Sequence, residues 1–539
     1  MTVQPTMLRP ATPRPSWQVV VGLLLPLPAL ILLITTYVEP AIWTIRTSFG
    51  RFTGIRGLTG AGDAPSAGLD NYNRAFDGGL GGALGYVLTL AVVPLLIVLL
   101  LAPALAWAAH RSGRAMRWVT RGALVIPLAA FAPFGIALAS ASSERGQRWA
   151  YWAGTFGVVA AVAVLIYLAA LRTSRGPWPG VIIGGVLAVL AVLGVVAAVL
   201  QDFTFGWSYR YVADGHATPA TLMYESALIR FDLGTGAAIS AVLLVALLLL
   251  GLLATLLVIV TGLRLEARPA VSDVADISAA TDAAHSRRGL ARPGAAALLV
   301  VVLVVTGVGL WPWLSHLGDS PRADVPSTWV NTWLPPVIST LVGVTAAALA
   351  AFGISGLRPL GRHSEWLLLP FGLFLFVGGV PLALRAFAAG ATAGRLDSFL
   401  ALIPPSRLAI PALFVLALLF RGQALRRDAL MQQNRPASWW PVVLPALPML
   451  ALAYVATWFV QAQDLIWPLI TSSSQHPTAQ FVMLQILQYG DVDHLPYGRL
   501  LPIPLLLLLL LAGVAAQLFY LDKVALHHGA VERDHPPRT

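Results

Sequence analysis

Twelve apolar stretches run through the 539 residues of this chain, each close to the roughly 20 residues an α-helix needs to cross a bilayer. They lie at 17–37, 84–109, 122–142, 149–171, 180–200 and 236–262, and again at 294–313, 334–355, 366–384, 400–420, 440–460 and 500–521. In hydrocarbon, backbone N–H and C=O groups must be paired within the protein, which restricts spanning structures to helices and closed barrels. Long apolar runs without period-two alternation select the helix. Composition points the same way, because only 11% of residues are charged against about a quarter in a soluble domain. The expected fold class is all-α, a polytopic transmembrane helical bundle of about 12 spans. The tenth stretch is the least regular, since Pro404, Pro405 and Arg407 interrupt it.

Charge sets the expected orientation. Arg9 and Arg14 precede the first stretch, which is too long for a signal peptide and is not closely followed by a small-residue cleavage site, so it reads as a retained anchor. With the N-terminus inside, 22 of the 35 basic residues fall on the cytoplasmic side and 13 on the other, although the loops of that other side are longer. This bias predicts cytoplasmic N- and C-termini in a multi-pass plasma-membrane protein. Trp17, Trp149, Trp311, Trp313, Trp333, Trp366, Trp439 and Trp440 fall near span ends, where an aromatic belt meets lipid headgroups. The net charge of +11 is thus spent facing membrane lipid, and no nucleic-acid partner is expected.

Residues 263–293 form a long polar stretch rich in Ala, Asp, Ser and Arg, read as a cytoplasmic linker. It divides the chain into two six-span halves, 1–262 and 294–539. The halves repeat one another in order. Arg111-Ser-Gly-Arg114 leads to Leu124-Val-Ile-Pro127, and Arg358-Pro-Leu-Gly-Arg362 leads to Leu367-Leu-Leu-Pro370. The outer loops 201–233 and 461–499 are both long. Parallel repeats point to a transporter, while an ordinary positive-inside turn accounts for either Gly-Arg taken alone.

Several chemistries are excluded or weakened. The chain has no cysteine, and its histidines stand singly except for His527-His528, so no cofactor or metal is expected. Its one lysine, Lys523, sits in Leu-Asp-Lys-Val, so no nucleotide-binding P-loop exists and an ATP-driven activity needs a partner's site. All 24 carboxylates fall in loops, the linker or span ends, with Glu39, Asp202 and Asp464 nearest the membrane. An ion-coupled carrier usually buries an acid at the midplane, which weakens the alternative of a secondary facilitator-type carrier. The other alternative, a lipid-linked glycosyltransferase, would use Glu39 beside the membrane as a base or metal ligand. Its nearest acidic companions, Asp63 and Asp70, are more than 20 residues away, and the chain is read as no enzyme.

Short loop motifs resemble the permease subunits of bacterial ABC sugar importers of the maltose type. The first half, with Glu39-Pro-Ala-Ile-Trp-Thr-Ile-Arg-Thr-Ser-Phe49 and Gly68-Leu-Asp-Asn-Tyr-Asn-Arg-Ala-Phe76, resembles the larger permease. Ala217-Thr-Pro-Ala-Thr-Leu-Met-Tyr224 and Phe231-Asp-Leu-Gly234 are similar to its external segment before the last span. In the second half, Gln463-Asp-Leu-Ile-Trp-Pro-Leu-Ile470 is similar to the smaller permease's Trp-Asn-Glu-Phe-x-Trp-Pro-Leu. The resemblance implies separate ATPase subunits, an external solute-binding protein and a carbohydrate or similar polar solute.

It also implies a cytoplasmic coupling segment of the form Glu-Ala-Ala-x-x-x-Gly before Ile-x-Leu-Pro. In the second half Asp428, Ala429 and Leu430 stand for Glu-Ala-Ala, and Asn434 takes the glycine place with Val442-Val443-Leu444-Pro445 beyond. Arg426, Arg427 and Arg435 surround this segment, which reads equally as a plain basic connecting loop. The first half has only Arg172-Thr-Ser-Arg-Gly-Pro-Trp-Pro-Gly180, too short for such a helix. For a solute path, Tyr454, Thr457 and Gln461 share one helical face at i, i+3 and i+7, with Trp458 adjacent and Gln463 and Asp464 just beyond. The same face serves inter-helix packing equally well.

Overall fold

The computed structural model describes residues 15–54, 65–172, 177–213, 215–267, 288–318, 326–396, 398–405, 407–432, 438–488 and 495–529. After α1 (Ser16–Ser48) and α2 (Leu80–Arg111) come α3 (Arg114–Ala129) and α4 (Pro133–Ser142), which meet at 70°. Next are α5 (Gln147–Leu171), α6 (Pro177–Leu200), α7 (Thr204–Val212) and α8 (Leu233–Thr261), and then a strand, β1 (Arg264–Ala267). The later elements are α9 (Arg288–Leu314), α10 (Ser327–Gly356), α11 (Ala383–Thr392), α12 (Ile410–Gln432), α13 (Trp440–Ala462), α14 (Ile503–Lys523) and β2 (Val524–His527).

Among the described residues nine helices are long and apolar enough to cross a membrane, with 182–212 taken as one, and the bent α3–α4 pair makes ten if it is a single span. The chain is a multi-pass transmembrane helical bundle.

Besides the 70° bend within 122–142, the sequence and the structure differ at four places. Over 366–384 there is no continuous helix: the chain passes through tight turns at Gly361–Leu368, a short helix Leu369–Gly372 and another turn at Val380–Leu382 before α11. Gly378, Gly379 and Pro381 explain the break, since glycine weakens a helix and proline removes a donor. Over 400–420 the helix starts only at Ile410, beyond Pro404 and Pro405. The first helix, by contrast, runs past residue 37 to Ser48, because a widened turn at Ile34–Val38 lets the helix continue into Glu39–Ser48, where Pro40 takes a first-turn place. Glu39 is therefore helical, about 34 Å along the axis from Ser16 at 1.5 Å per residue. Finally, the segment read as a linker opens with β1, ends inside α9, and between them lies outside the described residues.

The 70° bend has a local cause. Ala132 precedes Pro133 and is held extended (φ −118°, ψ 87°), as the proline ring demands of its predecessor.

Apolar burial gains little between helices surrounded by lipid, so close van der Waals packing must hold them together. α9 packs on α2, α4 and α5, α1 packs on α10, and α14 packs on α3. α8 packs on the broken segment at Leu369–Gly372 and Val380–Leu382. Each of the three large apolar clusters therefore mixes residues from before and after β1. α9 crosses α5 so closely that a Cβ on Gly309 would stand 2.0 Å from the Ala153 carbonyl oxygen.

The two strands pair antiparallel, Arg264 with His527, Leu265 with Leu526, Glu266 with Ala525 and Ala267 with Val524. The first residue of each strand thus faces the last of the other. Gly262, at φ +64°, turns the chain out of α8 into β1. We call this end of the bundle the ladder end and the opposite one the loop end.

Candidate functional site

A cavity of about 340 Å3 lies where the broken crossings meet near the loop end. Phe131 and Pro133 of the α3–α4 bend line it, with Gly379 and Ala383 before and in α11, and Pro404, Pro405 and Arg407 before α12. Gln461, Gln463, Asp464 and Trp467 close it from the end of α13, and Thr204 of α7 reaches it from the other side. That volume is at the small end of the range for ligand sites, roughly 300–1,000 Å3. Apolar and aromatic walls with a few convergent polar groups are the usual make-up of such a site.

Hydrogen bonds fix the polar groups. Gln480 Nε2 donates to the Ala462 carbonyl (3.0 Å) and holds the end of α13. Gln463 Nε2 donates to the Leu500 carbonyl (3.0 Å), which leaves its buried Oε1 without a partner. Trp467 Nε1 donates to the Ala401 carbonyl (3.1 Å) and fixes the indole. Burial pushes the Asp464 carboxyl above its ordinary range, against the pull of Arg407 and of the amides of Trp467, Ile466 and Leu465. Burial pulls the Arg407 guanidinium down, opposed by Tyr37 and then by Asp464. Tyr37 Oη donates to the Leu408 carbonyl (3.0 Å), tying α1 to the segment that carries Arg407. The cavity therefore offers one cation and one carboxylate against aromatic walls.

No family model matches the sequence, no curated protein matches it, and no solved structure matches the chain. Functional readings must therefore rest on this chain's own residues.

Of the residues expected along a solute path, Gln461, Gln463 and Asp464 line the cavity. Tyr454, Thr457 and Trp458 do not. Tyr454 Oη bonds Thr345 Oγ1 (2.6 Å), and Trp458 Nε1 donates to the Trp333 carbonyl (2.9 Å). Gln461 Oε1 also accepts from Ser339 Oγ and from Thr340 Oγ1 (3.3 Å), so this face joins α13 to α10. Thr457 is half-buried on it.

The expected coupling segment continues α12. Arg426 is exposed, and its Nη1 reaches the Ala267 carbonyl at 3.4 Å. Arg427 stacks on Trp439 with its Cζ 3.9 Å from the ring centroid, and Asp428 faces Arg358 at 3.9 Å. Ala429 and Leu430 are half-buried, while Asn434 and Arg435 lie outside the described residues.

Two site features escaped the sequence reading. Arg407 stood out only as an interruption of an apolar run, although an arginine there is itself a signal. Gln463-Asp464 after α13 repeats Gln201-Asp202 after α6. The Asp202 carboxylate accepts from the amides of Phe205 (3.3 Å) and Gly206 (3.1 Å). Gln201 grips the broken segment, donating to the Phe376 carbonyl (2.8 Å) and accepting from the Gly378 amide (2.7 Å).

The loop motifs take structural parts. Asn71, fully buried, donates to the carbonyls of Ser48 (2.7 Å) and Gly50 (2.9 Å), so the Leu-Asp-Asn-Tyr stretch staples the end of α1. Asp232 caps α8 through the Thr235 amide (3.1 Å) and pairs with Arg74 (3.0 Å). Glu39 is engaged by Arg385 at 2.8 Å. Among the described residues no cluster of His, Asp and Glu could hold a metal.

Proposed function

We propose that this chain is the permease component of an ABC importer, two six-span halves (1–262 and 294–539) fused in one polypeptide. It passes a carbohydrate or similar polar solute inward, powered by separate ATPase subunits and supplied by an external solute-binding protein. The observation that carries the reading is the cavity, because discontinuous helices around a polar pocket are how transporters build solute sites. The Gln-Asp turn at matching places in the two halves supports the repeat. So does the exchange of contacts, in which α1 packs on α10 while α9, its counterpart, packs on α2. The maltose-type motifs supply the importer class.

In this reading the ladder end is cytoplasmic. Labelling of an Ala275→Cys variant, in this otherwise cysteine-free chain, tests it. An impermeant maleimide should leave the residue untouched in intact cells and modify it after permeabilisation, and labelling of intact cells refutes the orientation.

Coupling is proposed to be asymmetric, with the 426–435 segment gripping the ATPase while the short stretch 172–180, of which 177–180 already belong to α6, does little. Arg426→Ala with Asp428→Ala should strip the ATPase from the purified complex, whereas changes at Thr173 and Ser174 should not. A complex that survives the double change overturns the grip.

One observation favours a second reading. Asp464 is a half-buried carboxylate on the cavity wall just beyond the end of α13, and an acid within the membrane region is what an ion-coupled carrier uses. A carrier takes up solute with no ATPase bound, so a wild-type chain that never co-purifies with one turns the argument to that reading.

A further inference from the structure

The corner between α2 and α3 carries Arg111, Arg114, Arg117 and Arg121, with no carboxylate between positions 111 and 123. Gly113, at φ +95°, makes the turn. Arg114, Arg117 and Arg121 stand at i, i+3 and i+7 and so share one face of α3. Burial rises along that face, from exposed Arg114 through half-buried Arg117 to buried Arg121. Arg121 Nη1 donates to Gln517 Oε1 (3.1 Å), and its Nε faces Asp522 of α14 at 3.4 Å. Arg172 shares that carboxylate at 3.8 Å, so Asp522 already serves two cations at the inner end.

The counterpart corner of the second half is built differently. Glu365 lies three residues past its Gly-Arg turn, and Arg358 faces both Glu365 (3.8 Å) and Asp428 (3.9 Å). At the α2–α3 corner the two exposed arginines rest on aromatic rings instead. Arg111 Cζ lies 4.2 Å from the Trp107 ring centroid, and Arg114 Cζ lies 4.5 Å from that of Trp118. Trp118 Nε1 donates in turn to Asp522 (3.2 Å), which fixes the ring that Arg114 rests on. A ring attracts a cation but is no full hydrogen-bond acceptor, so these two guanidiniums keep donors for an oxygen ligand. Their level is that of lipid headgroups, since the corner closes a span and is marked by two tryptophans. Leu100 and Trp107, eleven and four residues before Arg111, are exposed along the same side of α2 and form an apolar strip toward lipid.

We infer that the α2–α3 corner binds the phosphate of an anionic phospholipid, which Arg111 and Arg114 meet as donors while an acyl chain follows the exposed strip of α2. Arginine suits a phosphate because its N–H groups come in pairs that match two oxygens. Basic sites between membrane helices hold anionic headgroups in this way. The inference needs only a multi-pass bundle and stands apart from the importer reading.

Native mass spectrometry of the full chain in detergent, titrated with phosphatidylglycerol or with phosphatidylcholine of the same acyl chains, tests it. Wild type should hold phosphatidylglycerol at least about tenfold more tightly, since each basic residue near an anionic surface adds about fivefold. Arg111→Gln with Arg114→Gln should remove that preference, and Arg362→Gln in the counterpart turn should leave it unchanged. Millimolar inorganic phosphate separates the two sources of the group: it should not displace the lipid, whose chains add to the binding. Equal retention of the two lipids overturns the site, as does a double variant that still prefers phosphatidylglycerol. Displacement by phosphate overturns the lipid as occupant in favour of a free anion. If the double change strips a co-purifying ATPase while lipid retention stays as in wild type, the corner is a protein contact and the lipid site is wrong. The comparison of the two lipids uses wild type, so the proposal can fail even where the double variant does not fold.

Discussion

Replacing Glu365 with alanine should cost about 3–5 kcal/mol of stability, the range for breaking a buried ion pair from one side. Its side chain is 5% exposed and faces Arg421 Nε at 3.2 Å and Arg358 Nε at 3.8 Å. Removing that side chain takes from Arg421, in a buried site, the carboxylate it faces, and leaves Arg358 with Asp428 at 3.9 Å. Taking one of those cations away as well should recover part of the loss, so Glu365→Ala with Arg421→Met should be more stable than Glu365→Ala alone. Thermal unfolding of the purified chain in detergent measures both. A single variant as stable as wild type would mean that water already solvates the cluster.

The second large effect is steric. If 1–262 and 294–539 are halves that exchange contacts, a chain cut within 268–287 and expressed as two pieces should still assemble and co-purify. Gly309→Leu should abolish that assembly, since its Cβ alone would stand 2.0 Å from a backbone oxygen of α5. Overpacking ordinarily costs about 1–3 kcal/mol, but here the obstacle is main chain and cannot rotate aside. Gly307→Leu is the control: no atom lies within 4 Å of a Cβ at that site, so assembly should persist. Equal recovery of the two variants would show that the α9–α5 crossing does not hold the pieces together.

Much of the membrane architecture was legible in the chain because lipid imposes a local rule. A run of some 20 apolar residues is satisfied as a helix whatever surrounds it, and α2, α5, α8 and α14 lie close to where hydropathy put them. Proline before α12 likewise announced an interruption, though its extent, to Ile410, did not show. Of the cavity, Gln461 was found by helical spacing, and Gln463 and Asp464 by the loop motif that holds them. Tyr454, Thr457 and Trp458 were grouped with them because helical spacing shows that residues share a face, but not which neighbour that face meets. Their partners Thr345 and Trp333 belong to α10, more than a hundred residues earlier.

The sequence by itself determined that this is a multi-pass helical membrane protein without its own P-loop, because apolarity and missing side chains act residue by residue. Tertiary structure decided where crossings break and what fills the breaks. The backbone at Phe376 and Gly378 stays unwound because Gln201, 175 and 177 residues away, supplies the hydrogen bonds that a helix would have made. The ladder is of the same kind, since β1 and β2 are only four residues each, and it is the packing of β2 on α5 and of β1 on α12 that brings them together. Unpaired backbone groups can be satisfied by any partner that geometry supplies, and that geometry is a property of the whole bundle.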